Sequence, residues 1–188
     1  ISKSSVLNDL KLNQNDYFVV SAHREENIDD ENNFNNLLAS LNAIAKKYKK
    51  PIIVTTHPRT RKRLEESKSL KTDKHIHFMK PLGFFEYVKL QINSYCVISD
   101  SGTITEESSI LNFPAIMIRQ AHERPEGMDE GTVIMAGLKP IDVINAIEVT
   151  IGHHSESERT FRLIPDFDVD NVSKKVLRII LSYTNYIN

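Results

Sequence analysis

Short apolar runs of strand length recur along the chain and are separated by segments with a different pattern. The runs are rich in β-branched and aromatic residues, and most show no alternation between apolar and polar positions. This is typical of strands that are covered on both faces. The pattern predicts six strands, at residues 17–21, 51–56, 76–79, 95–99, 115–118 and 132–135.

Between the strands, apolar residues recur at the spacing of three and four that places them on one face of a helix. The clearest case runs from Phe34 to Tyr48. The other helices are predicted at residues 59–69 and 84–92, from near Thr103, and at residues 141–151 and 169–186. Residues 1–12 are predicted to form a helix that runs into a strand, and the charged residues 121–131 a loop.

Strands that alternate with helices predict right-handed β-α-β units and hence a parallel sheet. We therefore expect an α/β, Rossmann-like fold with helices on both faces of the sheet. Residues 1–168 are expected to form this domain, and residues 169–188 a C-terminal helix that extends from it.

Composition and charge limit the partners and the cellular location that we expect for this domain. The chain has 188 residues and a formal net charge of −1, which gives no reason to expect nucleic acid or an anionic membrane as a partner. No apolar run approaches the roughly 18 residues of a membrane span. The single cysteine, Cys96, lies in an apolar run, so we expect it in the core of a protein from the cytoplasm. Because the chain begins with Ile1, we expect it to be part of a longer gene product.

Polar clusters follow four of the predicted strands directly. Ligands of open α/β sheets bind beyond the carboxyl ends of the strands, which lie together at one edge. We therefore expect the clusters to converge on one crevice and to form a binding site there. The clusters are residues 21–27, 56–59, 100–103 and 119–126.

The cluster at residues 100–103 has the features of an anion site. Gly102 lets the backbone approach a ligand closely, and the helix that follows would direct free N–H groups at that ligand. Ser101 and Thr103 add hydroxyl donors. The alternative is a capping box formed by Thr103 and Glu106, which is compatible with a bound phosphate.

The carboxylates and the histidine of these clusters each have two interpretations. Glu106 or Glu107 is suited to holding the hydroxyls of a ribose, while the other stabilises the helix dipole, and their spacing does not decide between them. His23 is suited to binding a phosphate or to exchanging a proton. The alternative for His23 is to cap the next helix or to bond the backbone.

The remaining candidates are two arginines and a second histidine. Arg119 and Arg124 can form forked bonds to phosphate oxygens, or else surface ion pairs with Glu123 or Glu126. His57 is either part of the site or a turn residue. No cluster has the spacing of a zinc site, and the chain lacks both a Walker A motif and G-x-G-x-x-G. We therefore expect no metal and no cofactor.

The ordered strings SAHREEN, THPRT, SDSGTITEE and RQAHERPE resemble the non-hydrolysing UDP-N-acetylglucosamine 2-epimerases. The resemblance extends from residue 17 to residue 151, and the combination is specific although no single string is. Members have two Rossmann-like domains that face a cleft, the glycosyltransferase-B arrangement. The resemblance implies that this chain is the C-terminal domain alone, and that residues 169–188 cross towards the missing N-terminal domain.

The resemblance also implies roles for individual residues. His23 is the catalytic residue beside the diphosphate, and Glu107 is the carboxylate on the ribose hydroxyls. The family's second glycine in the phosphate loop is Thr103 here. Arg24 and His57 match positions that contact a second, activating UDP-sugar in some bacterial members. The residues implied in UDP binding are Leu82 and Tyr87 at the uracil, Ser101, Gly102 and Thr103 at the phosphates, Glu107, and Arg124.

The longer strings YFVVSAHREEN, THPRTRKR, KPLGF and MIRQAHERPEGMDE resemble one branch of the family. That branch inverts C2 of an L-talo precursor to make UDP-N-acetyl-L-fucosamine for capsule or O-antigen. The alternative is the interconversion of UDP-GlcNAc and UDP-ManNAc. More distant alternatives are a hydrolysing epimerase, the donor-binding half of a glycosyltransferase, and a non-catalytic UDP-sugar-binding module.

The chemistry of the family divides the work between its two domains. Members expel UDP to give a 2-acetamidoglycal and then add it back, because a C2 proton with no adjacent carbonyl is too weakly acidic for direct removal. The resemblance implies that the carboxylates acting at C2 belong to the missing half. We therefore expect this chain to bind a UDP-sugar, to be inactive alone, and to form a homodimer when full length.

Overall fold

A parallel, six-stranded sheet forms the centre of the computed structural model, which describes residues 1–66, 71–121 and 124–186. The strand order is β3-β2-β1-β4-β5-β6, and every neighbouring pair is parallel. The order changes direction between β1 and β4, which makes their carboxyl ends the switch point of the sheet. The strands are β1 Phe18–Ser21, β2 Ile52–Thr55, β3 Ile76–Met79, β4 Cys96–Ser99, β5 Ala115–Met117 and β6 Ile134–Met135.

Helices connect the strands and cover the sheet on both faces, which confirms the predicted α/β, Rossmann-like fold. The first half of the chain forms α1 Val6–Asp9, α2 Glu25–Ile28, α3 Glu31–Tyr48, α4 Pro58–Glu66 and α5 Phe84–Ile92. The second half forms α6 Ile104–Leu111, α7 Pro125–Asp129, α8 Pro140–His153 and α9 Val172–Tyr183, which a 3-10 turn at Thr184–Tyr186 extends.

Strand β1 shows how one strand faces both layers of helix. Phe18 and Val20 pack into the core cluster that contains α3 and α8, whereas Val19 packs with α5 and α6. All three side chains are fully buried, and burying one contributes about 1.5–3 kcal/mol. Cys96 is also fully buried, as predicted.

Several predictions about local structure are wrong. Residues 1–12 contain α1 but no strand, and α2 was not predicted. The expected loop at residues 121–131 contains α7, where Pro125 at the first helical turn has a φ that suits a helix start. The helix predicted at residues 59–69 begins one residue earlier and is described as far as Glu66, because residues 67–70 lie outside the described part of the chain.

Helix α9 has no buried residue. Its apolar residues Val172, Val176, Ile179, Ile180 and Tyr183 recur at helical spacing, and each is 48–60% exposed. The helix therefore presents an amphipathic face that the described residues leave open to solvent. Across these residues, each helix is too short or too polar to cross a lipid bilayer.

Candidate functional site

The buried Asp100 carboxylate organises the loop that follows β1. Its Oδ2 accepts hydrogen bonds from the backbone N–H groups of His23 and Arg24, both at 2.9 Å, and from Asn27 Nδ2 at 3.1 Å. Asp100 is 0% exposed, and hydrogen bonds to a charged group contribute about 1.5–3 kcal/mol each. The loop after β1 is thereby fixed against the end of β4.

The same loop is bonded to the two other strand ends. Thr60, in the first turn of α4, donates its hydroxyl to the Ala22 carbonyl at 3.1 Å. Asn27 donates its side-chain amide to the Ile118 carbonyl at 3.1 Å, directly after β5. The four polar clusters therefore meet at the carboxyl edge of the sheet, which confirms the predicted convergence.

His23 lies at this edge with its side chain 44% exposed. Its Nδ1 is 3.3 Å from Asp100 Oδ1, a close contact without the alignment of a hydrogen bond. The alternative that His23 caps the next helix is wrong, because α2 starts after Arg24 and has no side-chain cap. The alternative that the His23 side chain bonds the backbone is also wrong for the described residues, because the only bond is from the main-chain N–H of His23 to Asp100. The partly exposed imidazole is thereby left available to a ligand.

The predicted anion cradle lies at the start of α6. Gly102 is buried, Ser101 is partly exposed and Thr103 is exposed. The Thr103 hydroxyl lies 2.9 Å from the Ser101 hydroxyl and donates to Glu107 at 2.7 Å. The alternative of a capping box with Glu106 is wrong, since Thr103 has helical backbone angles and makes no side-chain cap. In the first turn of α6, the Ile104 N–H donates to the Ser101 carbonyl at 3.4 Å. The N–H groups of Thr105 and Glu106 have no acceptor among the described backbone contacts, so they remain for an anion.

The two carboxylates of this turn have different partners. Glu106 accepts a hydrogen bond from Arg124 Nε at 2.5 Å. Glu107 is bonded by Thr103 and, through its other oxygen, by Gln91 Nε2 of α5. Glu107 is therefore fixed beside the cradle, and Glu106 connects α6 to α7.

Sequence reasoning gave no role to Gln91 or to Asp100. Gln91 is 1% exposed, and a glutamine on the apolar face of a helix was the signal that it bonds a buried partner. A carboxylate beside a phosphate-type loop would repel the phosphate, and this was the signal that Asp100 faces inward.

Leu82 and Tyr87 are partly buried and pack against the core cluster on the α5 side of the sheet. Burial raises the pKa of the Tyr87 phenol to about 12, and the charges of Glu107 and Asp100 add to this effect. A hydrogen bond with the Ser21 side chain acts in the opposite direction. The Tyr87 hydroxyl is therefore neutral near pH 7 and lies by the end of β1.

Each arginine forms an ion pair within the site with a glutamate other than the predicted Glu126. Arg119 is 5% exposed, and its Nε donates to Glu26 at 3.2 Å. Arg124, 31% exposed in its side chain, pairs with Glu106. Glu123, the other predicted partner, lies outside the described residues. Two cations are thus fixed near the carboxyl edge of the sheet.

Arg24 and His57 occupy the rim of this edge. Arg24 is partly exposed at the start of α2, and His57 is exposed directly before α4. Within the described part of the chain, no group of three or more His, Cys, Asp or Glu side chains is placed to hold a metal ion.

A cavity of about 180 Å³ lies away from the site, at the amino ends of β5 and β6. Its lining includes Phe113, Thr132, His154 and Arg159. Burial lowers the pKa of His154, and Arg159 donates to carbonyls at the last turn of α6. None of the four polar clusters contributes to this cavity, so we place the candidate site at the carboxyl edge.

Comparison of sequences relates the chain to one family. A family model described as UDP-N-acetylglucosamine 2-epimerase matches residues 1–181. A UDP-N-acetylglucosamine 2-epimerase of Methanococcus maripaludis is 39% identical over 142 residues, which are 73% of this chain and 39% of that protein.

Solved structures give the same relationship. The structure of UDP-N-acetylglucosamine 2-epimerase from Rickettsia bellii matches with a TM-score of 0.87 at 49% identity. The match covers 100% of this chain and 50% of the Rickettsia bellii chain. A second match is the Methanocaldococcus jannaschii UDP-GlcNAc 2-epimerase in complex with UDP-GlcNAc and UDP, with a TM-score of 0.81 at 30% identity. It covers 96% of this chain and 49% of the Methanocaldococcus jannaschii chain. The chain thus spans half or less of the length of these relatives.

Proposed function

The chain belongs to the UDP-N-acetylglucosamine 2-epimerase family, and we propose that it is the UDP-binding, C-terminal half of a UDP-N-acetylhexosamine 2-epimerase. One observation carries this proposal. His23, the uncapped first turn of α6 and the Arg124–Glu106 pair meet at the carboxyl edge of the sheet. These groups are suited to a diphosphate, because each provides donors or positive charge.

UDP is proposed to lie along this edge with each part on different residues. The phosphates lie at Ser101, Gly102 and Thr103, within reach of His23 and Arg124. The ribose hydroxyls donate to Glu107, whose position Gln91 and Thr103 hold. The uracil lies at Leu82 and Tyr87. The complex of the Methanocaldococcus jannaschii relative with UDP-GlcNAc and UDP supports this class of ligand.

The proposed reaction is elimination of UDP followed by its re-addition. The bond between sugar C1 and the β-phosphate oxygen breaks, its electron pair passes to the diphosphate, and C2 loses its proton. UDP and a 2-acetamidoglycal result, and the reverse steps, with the proton delivered to the other face of C2, invert that carbon. Donors aimed at the departing diphosphate stabilise the charge that develops. These donors come from His23, Arg124 and the first turn of α6. This chain is therefore proposed to act on the leaving group.

The proton transfer at C2 is assigned to an N-terminal half that this chain does not include. Residues 1–168 are the proposed UDP-binding domain, and residues 169–188 are proposed to cross to the other half. The exposed apolar face of α9 supports this division, since an amphipathic helix is stable when its apolar face is covered. The chain alone is therefore proposed to bind UDP without epimerising a UDP-sugar.

The proposed substrate is the L-talo precursor of UDP-N-acetyl-L-fucosamine, for capsule or O-antigen synthesis. The strings at residues 17–27, 56–63, 80–84 and 117–130 support this branch. The interconversion of UDP-GlcNAc and UDP-ManNAc is the second candidate, because the relatives carry the name UDP-N-acetylglucosamine 2-epimerase. We also propose a cytoplasmic homodimer for the full-length protein, with Arg24 and His57 at a site for a second UDP-sugar.

The test supplies the full-length protein with UDP-linked L-talo and D-gluco sugars in deuterated water. We expect deuterium at C2 of the L-talo substrate and its C2 epimer as product. Deuterium at C2 of the D-gluco sugar only would indicate the interconversion of UDP-GlcNAc and UDP-ManNAc. Release of free sugar would indicate a hydrolysing epimerase. Transfer to an acceptor without exchange at C2 would contradict the proposal and indicate a glycosyltransferase.

A further inference from the structure

The two oxygens of the Asp100 carboxylate have different surroundings. Oδ2 accepts three hydrogen bonds, from the backbone N–H groups of His23 and Arg24 and from Asn27. Oδ1 is buried, has no hydrogen-bond donor among the described residues, and lies 3.3 Å from His23 Nδ1. A buried oxygen without a donor is unfavourable, so a donor at this position is favoured.

The His23 imidazole is the group that can supply that donor. The backbone of His23 is fixed by Oδ2, but its side chain is 44% exposed and can rotate over Oδ1. A small rotation converts the close contact into an Nδ1–H donor bond. Catalytic hydrogen bonds are commonly long or misaligned without substrate and shorten when it binds.

We infer that Asp100 is a positioning residue, which keeps a proton on His23 Nδ1 and so directs Nε2 into the crevice. The two ring nitrogens lie on opposite sides of the imidazole, and the bond made by one determines the protonation of the other. Buried carboxylates hold histidines in this way in Ser-His-Asp triads. The inference rests on the proposed function in that the crevice holds a diphosphate.

The consequence for the reaction follows from where the proton can go. With Nδ1–H held by Asp100, Nε2 is the atom that faces the β-phosphate oxygen. A protonated imidazole donates from Nε2 as the bond from C1 to that oxygen breaks, and His23 is left neutral with its remaining proton on Nδ1. Re-addition of UDP returns the proton to Nε2. The pair therefore completes a cycle without a second proton source at this side of the sugar.

The substitution Asp100→Asn distinguishes positioning from a structural role. The three donors at Oδ2 require an oxygen, so the Asn amide oxygen takes that place and its NH₂ faces His23 Nδ1. An NH₂ group donates there, which makes Nδ1 an acceptor and moves the proton of the neutral ring to Nε2. Asp100→Asn keeps the shape of the side chain, whereas Asp100→Ala would leave three donors unpaired and cost stability.

The experiment is nitrogen-15 NMR of this chain with labelled histidine, with His23→Gln used to assign the His23 signals. For the neutral ring we expect the proton on Nδ1 in the native chain and on Nε2 in Asp100→Asn. In the full-length enzyme, the variant should lower kcat by on the order of 100-fold or more, with KM little changed. A proton on Nε2 in the native chain, or the same tautomer in both proteins, would overturn the inference.

Two controls separate this inference from the proposed function. The tautomer is measured without UDP, so it does not depend on UDP binding. If the chain shows the expected tautomers but binds no UDP, the proposed function is contradicted and the positioning role stands. If the native chain binds UDP and Asp100→Asn has the same His23 tautomer as the native chain, the proposed function is supported and the positioning role is contradicted. If Asp100→Asn does not fold by circular dichroism, the tautomer of the native chain alone decides.

Discussion

Gln91 of α5 donates a hydrogen bond to Glu107 of α6, and Gln91 is 1% exposed. The pair joins two helices that begin beyond the carboxyl ends of β3 and β4. With Thr103 bonded to the other oxygen of Glu107, the carboxylate is held from two sides. We therefore predict that Gln91 contributes to ligand binding by holding Glu107 in place, which its burial alone would not indicate.

Replacing Gln91 with Met tests this role. The variant loses the donor to Glu107, but it also removes Gln91 Oε1, which is buried without a partner among the described residues. We expect the free energy of unfolding to change by less than about 1 kcal/mol and UDP affinity to fall about threefold to tenfold. Urea unfolding and calorimetry measure the two quantities. A large loss of stability with unchanged affinity would show that Gln91 is structural only.

Glu107 is predicted to select ligands that carry ribose hydroxyls. The native chain should bind UDP more tightly than 2′,3′-dideoxy-UDP, because only UDP can donate to this carboxylate. In Glu107→Ala we expect that preference to disappear, with UDP affinity falling roughly tenfold to a hundredfold. Competition against UDP provides the measurement.

The neighbouring carboxylate offers the matched control for this prediction. Glu106→Ala disturbs Arg124, so it should weaken the binding of both nucleotides by similar factors and retain the preference for UDP. If the preference were lost in Glu106→Ala and kept in Glu107→Ala, the assignment of the ribose to Glu107 would be wrong.

Arg124 is predicted to act on the phosphates through its planar guanidinium. Arg124→Lys keeps the charge but loses the fork of donors, so UDP affinity should fall about tenfold while the affinity for uridine stays the same. Arg162→Lys is the control, because Arg162 is an exposed arginine that pairs with Glu130 outside the site. Equal losses for UDP and uridine in Arg124→Lys would contradict a phosphate contact.

The exposed face of α9 is predicted to bind the proposed N-terminal half. Ile180→Asp should leave the stability of this chain within about 0.5 kcal/mol of the native value, because Ile180 is 58% exposed. The same change should abolish the activity gained when the chain is mixed with a separately produced N-terminal half. Arg178→Ser, on the opposite face of the helix, should retain that activity. If Ile180→Asp retained as much activity as Arg178→Ser, the prediction that α9 lies in the interface would be wrong.

Much of the fold, and the meeting of the polar clusters at one edge of the sheet, could be predicted from the sequence. Apolar runs and helical spacing are local signals, and the carboxyl ends of parallel strands must share an edge, so the clusters around His23 and Ser101 could be brought together. The bonds that hold them could not be predicted, because Asp100 and His23 are 77 residues apart. The short helices α2 and α7 were missed because four or five residues contain too little periodicity.

The central claim is that this chain holds UDP at the carboxyl edge of its sheet. Titration of the isolated chain with UDP, followed by calorimetry and by backbone amide NMR, tests it most directly. We predict measurable heat at one UDP per chain, with the largest shifts at Ser101, Gly102, Thr103 and His23. No heat and no amide shift at millimolar UDP would contradict the account.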